Sequence, residues 1–487
     1  MPPRWVLVAI FCLAAIRFSW NIQHAGLGAR LLDPVGHVAA QDEVVYSHTA
    51  LRMVSTGDWL TPKFMERNAL YKPPLAYWLM AASVKTFGPS AAALRLPSLA
   101  AAAFLVLLIT TWAWRWRGPW AAGVAFSLLL SNQLLHNFAR VATMDMVLTF
   151  AMAAAIYCAQ QPTLARTWPG VMAGLAIVTK GIAGLLPLIM LRSAWAIGIA
   201  AVVAAPWFLA QLAINTEWFW QEFVLTEVLH WGLASPVQTS GDAAWIFYPV
   251  RLFQMDPVVT LAGVAGLGFA WRERWLLWWV GTLVAAVLAF QYHNIAYWVP
   301  LVPALAMAAA AIPWERNVWL KAAAIAVCSV SVAWISQSNF APEAVPPAAQ
   351  LRAYCHQPGA ELIIVDPDDQ FYATLLPLPL VRYAFFNAGQ AADRAPLDFQ
   401  ARKILVRPEE FTRQPLPVAT AILYRNQPDV AALVRAHPEI DFLLPATLAP
   451  GDAPHRREVG VNGRVWLRSG LPDPTHRPDP GSCESLP

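Results

Sequence analysis

The chain has 487 residues, 57% of them hydrophobic and only 13% charged, with 24 Trp and a mean hydropathy of +0.45, which excludes a wholly soluble protein and describes a polytopic membrane protein. The net charge of +4 is small and scattered, which speaks against nucleic acid as a partner. The apolar runs approach the roughly 20 residues a membrane helix needs and lack the alternation of a membrane β-barrel.

In chain order the predicted spans cover residues 5–20, 96–114, 120–138, 144–160, 170–191, 194–214, 245–270, 275–291, 296–312 and 318–335. If 170–191 crosses twice, giving about 11 spans, every basic cluster falls on the cytoplasmic side. These clusters are Arg4, Arg115 and Arg117, Arg166, Arg192, Arg272 and Arg274, and Arg316 with Lys321. The stretch "VTKGIAG" offers a place to turn, because Lys180 is costly at mid-bilayer and glycines flank it. A single crossing is the alternative, and it puts "WRERW" outside. The first run has a second reading as a cleaved signal peptide, with "GLGA" a poor cleavage site. In both readings the loop that follows lies outside. Cys12, Cys158 and Cys328 fall in apolar runs as packing residues, whereas Cys355 and Cys483 fall in an exported tail where a disulfide is chemically allowed.

Two regions are not spans. Residues 21–95 form a long outer loop, rich in aromatic and charged residues, expected to lie along the membrane surface. In it "QDEVVYSHTALRMV" has helical apolar spacing ending at Gly57, and Pro73 and Pro74 suit the start of a second helix, with Tyr77 and Trp78 at headgroup level. After Ile335 the composition turns to Pro, Asp, Arg and Gln. There "ELIIVD", "KILV", "AILY" and "VWLR" read as strands and "PDVAALVRAHPEI" as a helix. The expected organisation is an all-α transmembrane domain over 1–336, a small α/β domain outside the membrane over 337–470 and a disordered end over 471–487. No internal repeat and no Gly-rich phosphate loop after a strand are visible, which disfavours a nucleotide-driven pump.

The charged residues divide between two readings. Asp42 and Glu43 suit the opening of an interfacial helix, and Asp145 suits the cap of the next span. Arg140 and Lys72 suit anchors at the headgroups. Under the topology above, however, Asp42, Glu43, Lys72, Arg140, Asp145, Lys180, His293 and Tyr297 all lie at one outer face. Anions able to accept a proton are there mixed with cations able to hold a phosphate, as group transfer from a lipid phosphate requires. His230 and Arg251 are further candidates, Arg251 because it lies two turns inside an expected span. A transporter of lipid-linked sugar would also want such a face, but it should show repeat symmetry.

The ordered series "DEVVYSHTALRMVSTGDWLTPKF", "YKPPLAYWLMAASVKTFGPSAAALRLPSLAAA", "ARVATMDMVLTF", "GLAIVTKG", "PWF" and "YWVPLVPALA" resembles the bacterial membrane glycosyltransferases related to the lipid A aminoarabinose transferase, with the protein O-mannosyltransferases as more distant relatives. The similarity runs from about residue 41 to 306 and leaves out the tail. It implies a GT-C fold in the bacterial cytoplasmic membrane, with outer interfacial helices around a cavity open to lipid and water. It also implies transfer of a sugar from a polyprenyl-phosphate carrier to a lipid, glycan or protein acceptor, without a cofactor. The family's first acid falls on Asp42, as general base, with Glu43 beside it positioning groups. Its "KPP" lysine falls on Lys72, at the donor phosphate. Its "R…T.D" element falls on Arg140 and Asp145, and its tyrosine before a Pro-rich span on Tyr297. Tyr77, Arg251 and His293 complete the substrate-binding set. Tyr71 stands where the family often has an acid, and His293 where it often has a lysine. With one base, a phosphate clamp and no evident nucleophile, the chemistry expected is a single displacement with inversion.

Overall fold

The computed structural model describes residues 2–20, 22, 38–64, 67–231, 244–290, 294–337, 361–365, 382–387, 420–425, 430–436, 438, 441–459 and 464–468. The chain divides into two compact units. One comprises residues 1–24, 30–43 and 70–342, and the other 25–29, 44–69 and 343–487.

The first unit is helical. α1 (Arg4–Ser19), the first turns of α2 (Val38–Thr56), α3 (Leu75–Phe87), α4 (Ala91–Arg117), α5 (Pro119–Ser131), α6 (Gln133–Ala139) and α7 (Asp145–Ala159) follow in order. Four stretches are by length and composition apolar enough to cross a membrane: Ala91–Arg117, Trp168–Leu191, Ala194–Ile214 and Val318–Ile335. The last has a mean hydropathy of 1.9 yet is only 11% buried, so most of its apolar surface is left uncovered by the described residues, as on a lipid-facing helix. α4 starts at a Ser90 N-cap whose side chain accepts from the Ala93 N–H at 3.1 Å, and ends on basic Arg115 and Arg117, which complement the helix dipole. A single core runs through α1, α4, α5, α6 and α7 and on into the later helices, with Leu105, Leu128 and Met146 fully buried.

Two expected single spans are broken, and so, as expected, is the segment ending at Leu191. Residues 120–138 divide into α5 and α6 at Asn132, whose side chain leaves the helix to cap α6 through the Leu135 N–H at 2.7 Å. Residues 168–191 divide into α8 (Trp168–Lys180), a 3₁₀ turn Gly181–Leu185 and α9 (Leu186–Leu191). Gly181 takes φ +53 and ψ −119, a conformation glycine adopts most readily. The chain then folds back so sharply that a Cβ on Gly184 would sit 2.3 Å from the Ala176 backbone. α10 (Ala194–Ile214) and the short α11 (Thr216–Phe219) lead into a π-helix, Trp220–Trp231.

The third break separates α12 (Ala244–Met255) from α13 (Pro257–Phe269), which are bent by 118°. Pro257 lacks an N–H and disfavours helical backbone at the residue before it, so Asp256 sits at φ −144, ψ 73. The freed carboxylate accepts from the Gln133 N–H at 2.8 Å and caps α6 from outside its own helix. Arg251 therefore does not lie inside a straight span. It is on α12, part-exposed, bonded to Gln254 at 3.1 Å and 5.8 Å from the Phe247 ring centre. α14 (Arg274–Ala289), a 3₁₀ turn Ile295–Trp298, α15 (Leu301–Ala310) and α16 (Val318–Gln337) complete the unit.

In the second unit α2 ends where Gly57 takes φ +73 and its N–H returns to the Met53 carbonyl, as expected. β1 (Lys63–Phe64) and β2 (Arg67–Asn68) pair antiparallel. A six-stranded sheet combines β3 (Glu361–Val365), β4 (Arg382–Asn387), β5 (Thr420–Arg425), β6 (Asp441–Pro445), β7 (Arg456–Val459) and β8 (Arg464–Arg468) in the order β4-β5-β3-β6-β8-β7. β4, β5, β3 and β6 are parallel, and β8 and β7 add antiparallel. The helix expected near residue 430 is α17 (Val430–Ala436), whose Val430 and Val434 pack on Phe442, Leu444, Val465 and Leu467. Of the expected strands, "KILV" lies outside the described residues, as do Cys355 and Cys483.

Candidate active site

The site is built where four pieces of the first unit converge. α7 begins at Asp145 and α8 ends at Lys180, so the two antiparallel helices bring these residues to the same end. The Lys180 Nζ lies 2.5 Å from Asp145 Oδ1, with the side chains 10% and 3% exposed. Asp145 is the first residue of α7, but its carboxylate goes to Lys180 and makes no cap bond.

The third piece is the turn Leu70–Pro74 before α3. Its Lys72 forms an ion pair with Glu227, and its Leu70 N–H donates to Glu222. Both acids come from the π-helix. In an α-helix residues five apart point about 140° away from one another. The i→i+5 ladder of a π-helix instead aligns them, so Glu222 and Glu227 face the same turn. Gly181 closes the arrangement, because a Cβ there would meet the Phe223 ring at 3.0 Å and Pro73 at 3.8 Å. The bare backbone at that point lets the Lys180 end of α8 pack between the π-helix and the Lys72 turn. An aromatic cluster of Trp207, Phe208, Phe219 and Phe223 supports the π-helix from behind.

Lys72, Asp145, Lys180 and Glu227 form the charged end of a cavity of about 80 Å³. Leu148, Met152, Leu186, Leu283, Val287 and Phe290 line the rest, and Tyr297 stands beside them. The Lys180 ammonium is 5.6 Å from the Tyr297 ring centre. The cavity thus joins apolar side chains to two ion pairs.

Asp42, in the second turn of α2, is too far along to be the helix cap and does not line the cavity. It is within electrostatic reach of Lys180, Asp145, Lys72 and Glu227. Burial pushes its carboxyl up to about 6; Asp145 and Glu227 add to this, and Lys180 and Lys72 oppose it. Its neighbour Glu43 has both oxygens engaged: Arg95 Nε and Nη2 donate at 2.6 and 2.9 Å, and the Ala142 N–H donates at 2.9 Å.

Of the other expected site residues, Tyr77 is fully buried. Burial holds its phenol well above the ordinary range, with Tyr71 opposing and Asp42, Glu227 and Glu222 adding. Arg140 is 4% exposed, donates to the Trp20 carbonyl at 2.9 Å and lies near Arg17 and Arg95, away from the cavity lining. Arg251 does not line the cavity either. His293 and the side chain of His230 lie outside the described residues. Glu227 is not among the residues the sequence singles out; its signal is one of two acids, Glu222 and Glu227, in the aromatic run "WFWQEFVLTEVLHW". Among the described residues no group of three or more His, Cys, Asp and Glu could hold a metal ion.

The fold has solved counterparts. It matches the crystal structure of ArnT from Cupriavidus metallidurans with a TM-score of 0.65 at 18% identity, covering 95% of this chain and 97% of that one. The same protein bound to undecaprenyl phosphate matches equally well, and the archaeal oligosaccharyltransferase AglB from Archaeoglobus fulgidus, in complex with an inhibitory peptide and a dolichol-phosphate, matches with a TM-score of 0.51 at 10% identity over 77% of this chain and 64% of that one. Residues 71–216 match the family model of dolichyl-phosphate-mannose-protein mannosyltransferase. In sequence the chain resembles the undecaprenyl phosphate-alpha-4-amino-4-deoxy-L-arabinose arabinosyl transferases. That of Shewanella sediminis is 28% identical over 286 residues, 52% of this chain and 51% of the relative. One from Proteus mirabilis is 27% identical over 305 residues, 55% and 54%. The chain spans about half the length of these relatives.

Proposed function

We propose that this chain is a glycosyltransferase of the bacterial cytoplasmic membrane that moves a sugar from a polyprenyl-phosphate donor to an acceptor hydroxyl at the outer face. The observation that carries the reading is the cavity, whose lining joins apolar side chains, the surface the first isoprene units of a lipid would meet, to Lys72 and Lys180, which would meet its phosphate. The sequence relatives are named for an undecaprenyl-phosphate-linked sugar, which is the donor class proposed here. A transporter of the same lipid is the weaker reading, since no repeat symmetry is visible in the sequence.

In the proposed reaction Asp42 takes the acceptor proton as the hydroxyl attacks the anomeric carbon. The bond from that carbon to the phosphate oxygen breaks, and its electron pair leaves on the phosphate. The phosphodiester becomes a phosphomonoester, the acceptor becomes a glycoside with inverted configuration, and the proton rests on Asp42. Lys72 and Lys180 offset the charge that grows on the leaving oxygen, and Asp145 orients Lys180. Glu43 acts through the fold, by holding Asp42's helix to Arg95 and Ala142.

The sidedness belongs to the same proposal. With the chain turning back at Gly181 toward the outer interface, 168–191 begins and ends on the cytoplasmic side, about 11 membrane passages result and the basic clusters stay cytoplasmic. Residues 337–470 then form an α/β domain on the outer side. The test is direct transfer: purified protein with undecaprenyl-phosphate aminoarabinose and lipid A, read by mass spectrometry of the lipid. No mass gain on this acceptor or on other envelope glycans and proteins, with intact donor recovered, overturns the transferase reading.

A further inference from the structure

The ion pair between Lys72 and Glu227 occupies the cation that the donor phosphate needs. Lys180 is likewise paired, to Asp145, so neither ammonium at the cavity end is without a carboxylate. Three acids, Asp42, Asp145 and Glu227, surround two lysines, an excess of one negative charge when all are ionised. A site built only to bind an anion would not be charged this way.

The reaction itself supplies a reason. Resting on the transferase reading above, the donor is a phosphodiester carrying one negative charge and the product lipid is a phosphomonoester carrying nearly two at neutral pH. Two lysines alone would hold the product more tightly than the donor, and turnover would stall on it. We infer that Glu227 is a positioning residue for product release: it competes with the lipid phosphate for Lys72 and re-forms its ion pair as the monoester departs.

The geometry fits that task. Glu227 lines the cavity, so its carboxylate faces the space the phosphate enters. The side chains of Lys72 and Glu227 are 12% and 20% exposed, against 10% and 3% for Lys180 and Asp145. The Lys72 pair is therefore the wetter of the two and the easier to exchange. Its partner sits on a π-helix, whose i→i+5 ladder is a geometry seldom kept without a functional reason. Glu222, one π-turn earlier and fully buried, holds the Leu70 end of the turn fixed while Lys72 changes partner.

The test titrates free undecaprenyl phosphate and an undecaprenyl-phosphate sugar into full-length wild type, Glu227→Gln and Glu227→Asp, with multiple- and single-turnover transfer measured on each. Glu227→Gln should bind the free monoester roughly tenfold tighter and the diester sugar by a smaller factor. Its multiple turnover should slow as product accumulates, by a larger factor than any change in its single-turnover rate. Glu227→Asp, which keeps the charge at shorter reach, should fall between. A purely structural role would weaken both ligands and slow the single turnover. Unchanged or weaker monoester binding by a Glu227→Gln protein with wild-type unfolding temperature overturns the inference. If that variant does not fold, absence of any tightening in Glu227→Asp does so. Wild type that binds neither lipid overturns the transferase reading, and this inference with it.

Discussion

Glu43 and Arg95 meet through two parallel hydrogen bonds, of 2.6 and 2.9 Å, with side chains 1% and 3% exposed. The pair joins α2 to the start of α4, and the remaining capacity of Glu43 is used by the Ala142 N–H just before α7. Removing one member of such a pair leaves the other charge buried, which costs roughly 3 to 5 kcal/mol. Glu43→Gln should therefore lower the unfolding temperature sharply in detergent. Removing the carboxylate while leaving the pH dependence of any surviving activity in place is the signature expected; wild-type stability would show that the pair contributes little.

Asp42, one residue earlier, should behave oppositely. The Asn variant should fold and bind donor, and transfer should fall by about 10² to 10⁴-fold, the usual loss on removing a general base. Near-normal turnover would take Asp42 out of the mechanism.

The same residue sets a pH dependence. Asp42 accepts a proton only when ionised, and burial raises its pKa to about 6. kcat/KM should be flat above that value and fall about tenfold per pH unit below it. A bound donor phosphate adds a negative charge nearby and raises the pKa further, so the acid limb of kcat should lie at higher pH than that of kcat/KM. An acid limb below pH 5 in both would point to a different base.

How much of this was legible in the sequence depends on the length scale of each cause. Asp42, Lys72 and Asp145 stand out because a charge in a chain only 13% charged needs a reason. The fold-back at Gly181 was readable because lysine and glycine conflict locally with a straight span. The break at Asp256 was not, since hydropathy reads straight through a proline and Arg251 was accordingly assigned to a span. Glu227 was invisible for a different reason: its partner lies 155 residues away, and their meeting depends on a π-helical register that no local pattern announces. The tail strands β4, β6 and β7 were missed because they are only four to six residues long and none alternates apolar with polar residues.

The Lys180–Asp145 pair predicts a non-additive response. Lys180→Met leaves a carboxylate in an apolar setting at the head of α7, and Asp145→Asn leaves an ammonium at the foot of α8. Each should destabilise by roughly 3 to 5 kcal/mol, whereas the double variant removes both charges and should recover much of that loss. Thermal unfolding of the four proteins checks this. Losses that simply add would mean that the two groups do not share one interaction.

Lys72 and Glu227 should couple in binding as well as in the fold. Lys72→Ala removes the proposed phosphate contact and leaves Glu227 facing the cavity without its counter-charge, so the lipid phosphate meets a bare carboxylate. Affinity for free undecaprenyl phosphate should fall by roughly 2 to 5 kcal/mol, the range found when a desolvated charge pair is truncated. Part of that loss is repulsion from Glu227 and not a lost attraction. Adding Glu227→Gln to Lys72→Ala should then restore a measurable share of the affinity, although the double variant still lacks the lysine. A lysine that merely anchored at the headgroups would give about 0 to 1 kcal/mol, and no recovery on adding the second substitution. Titrating the lipid into wild type, both single variants and the double variant separates the two cases. Equal affinity in all four would move the phosphate contact to Lys180 alone.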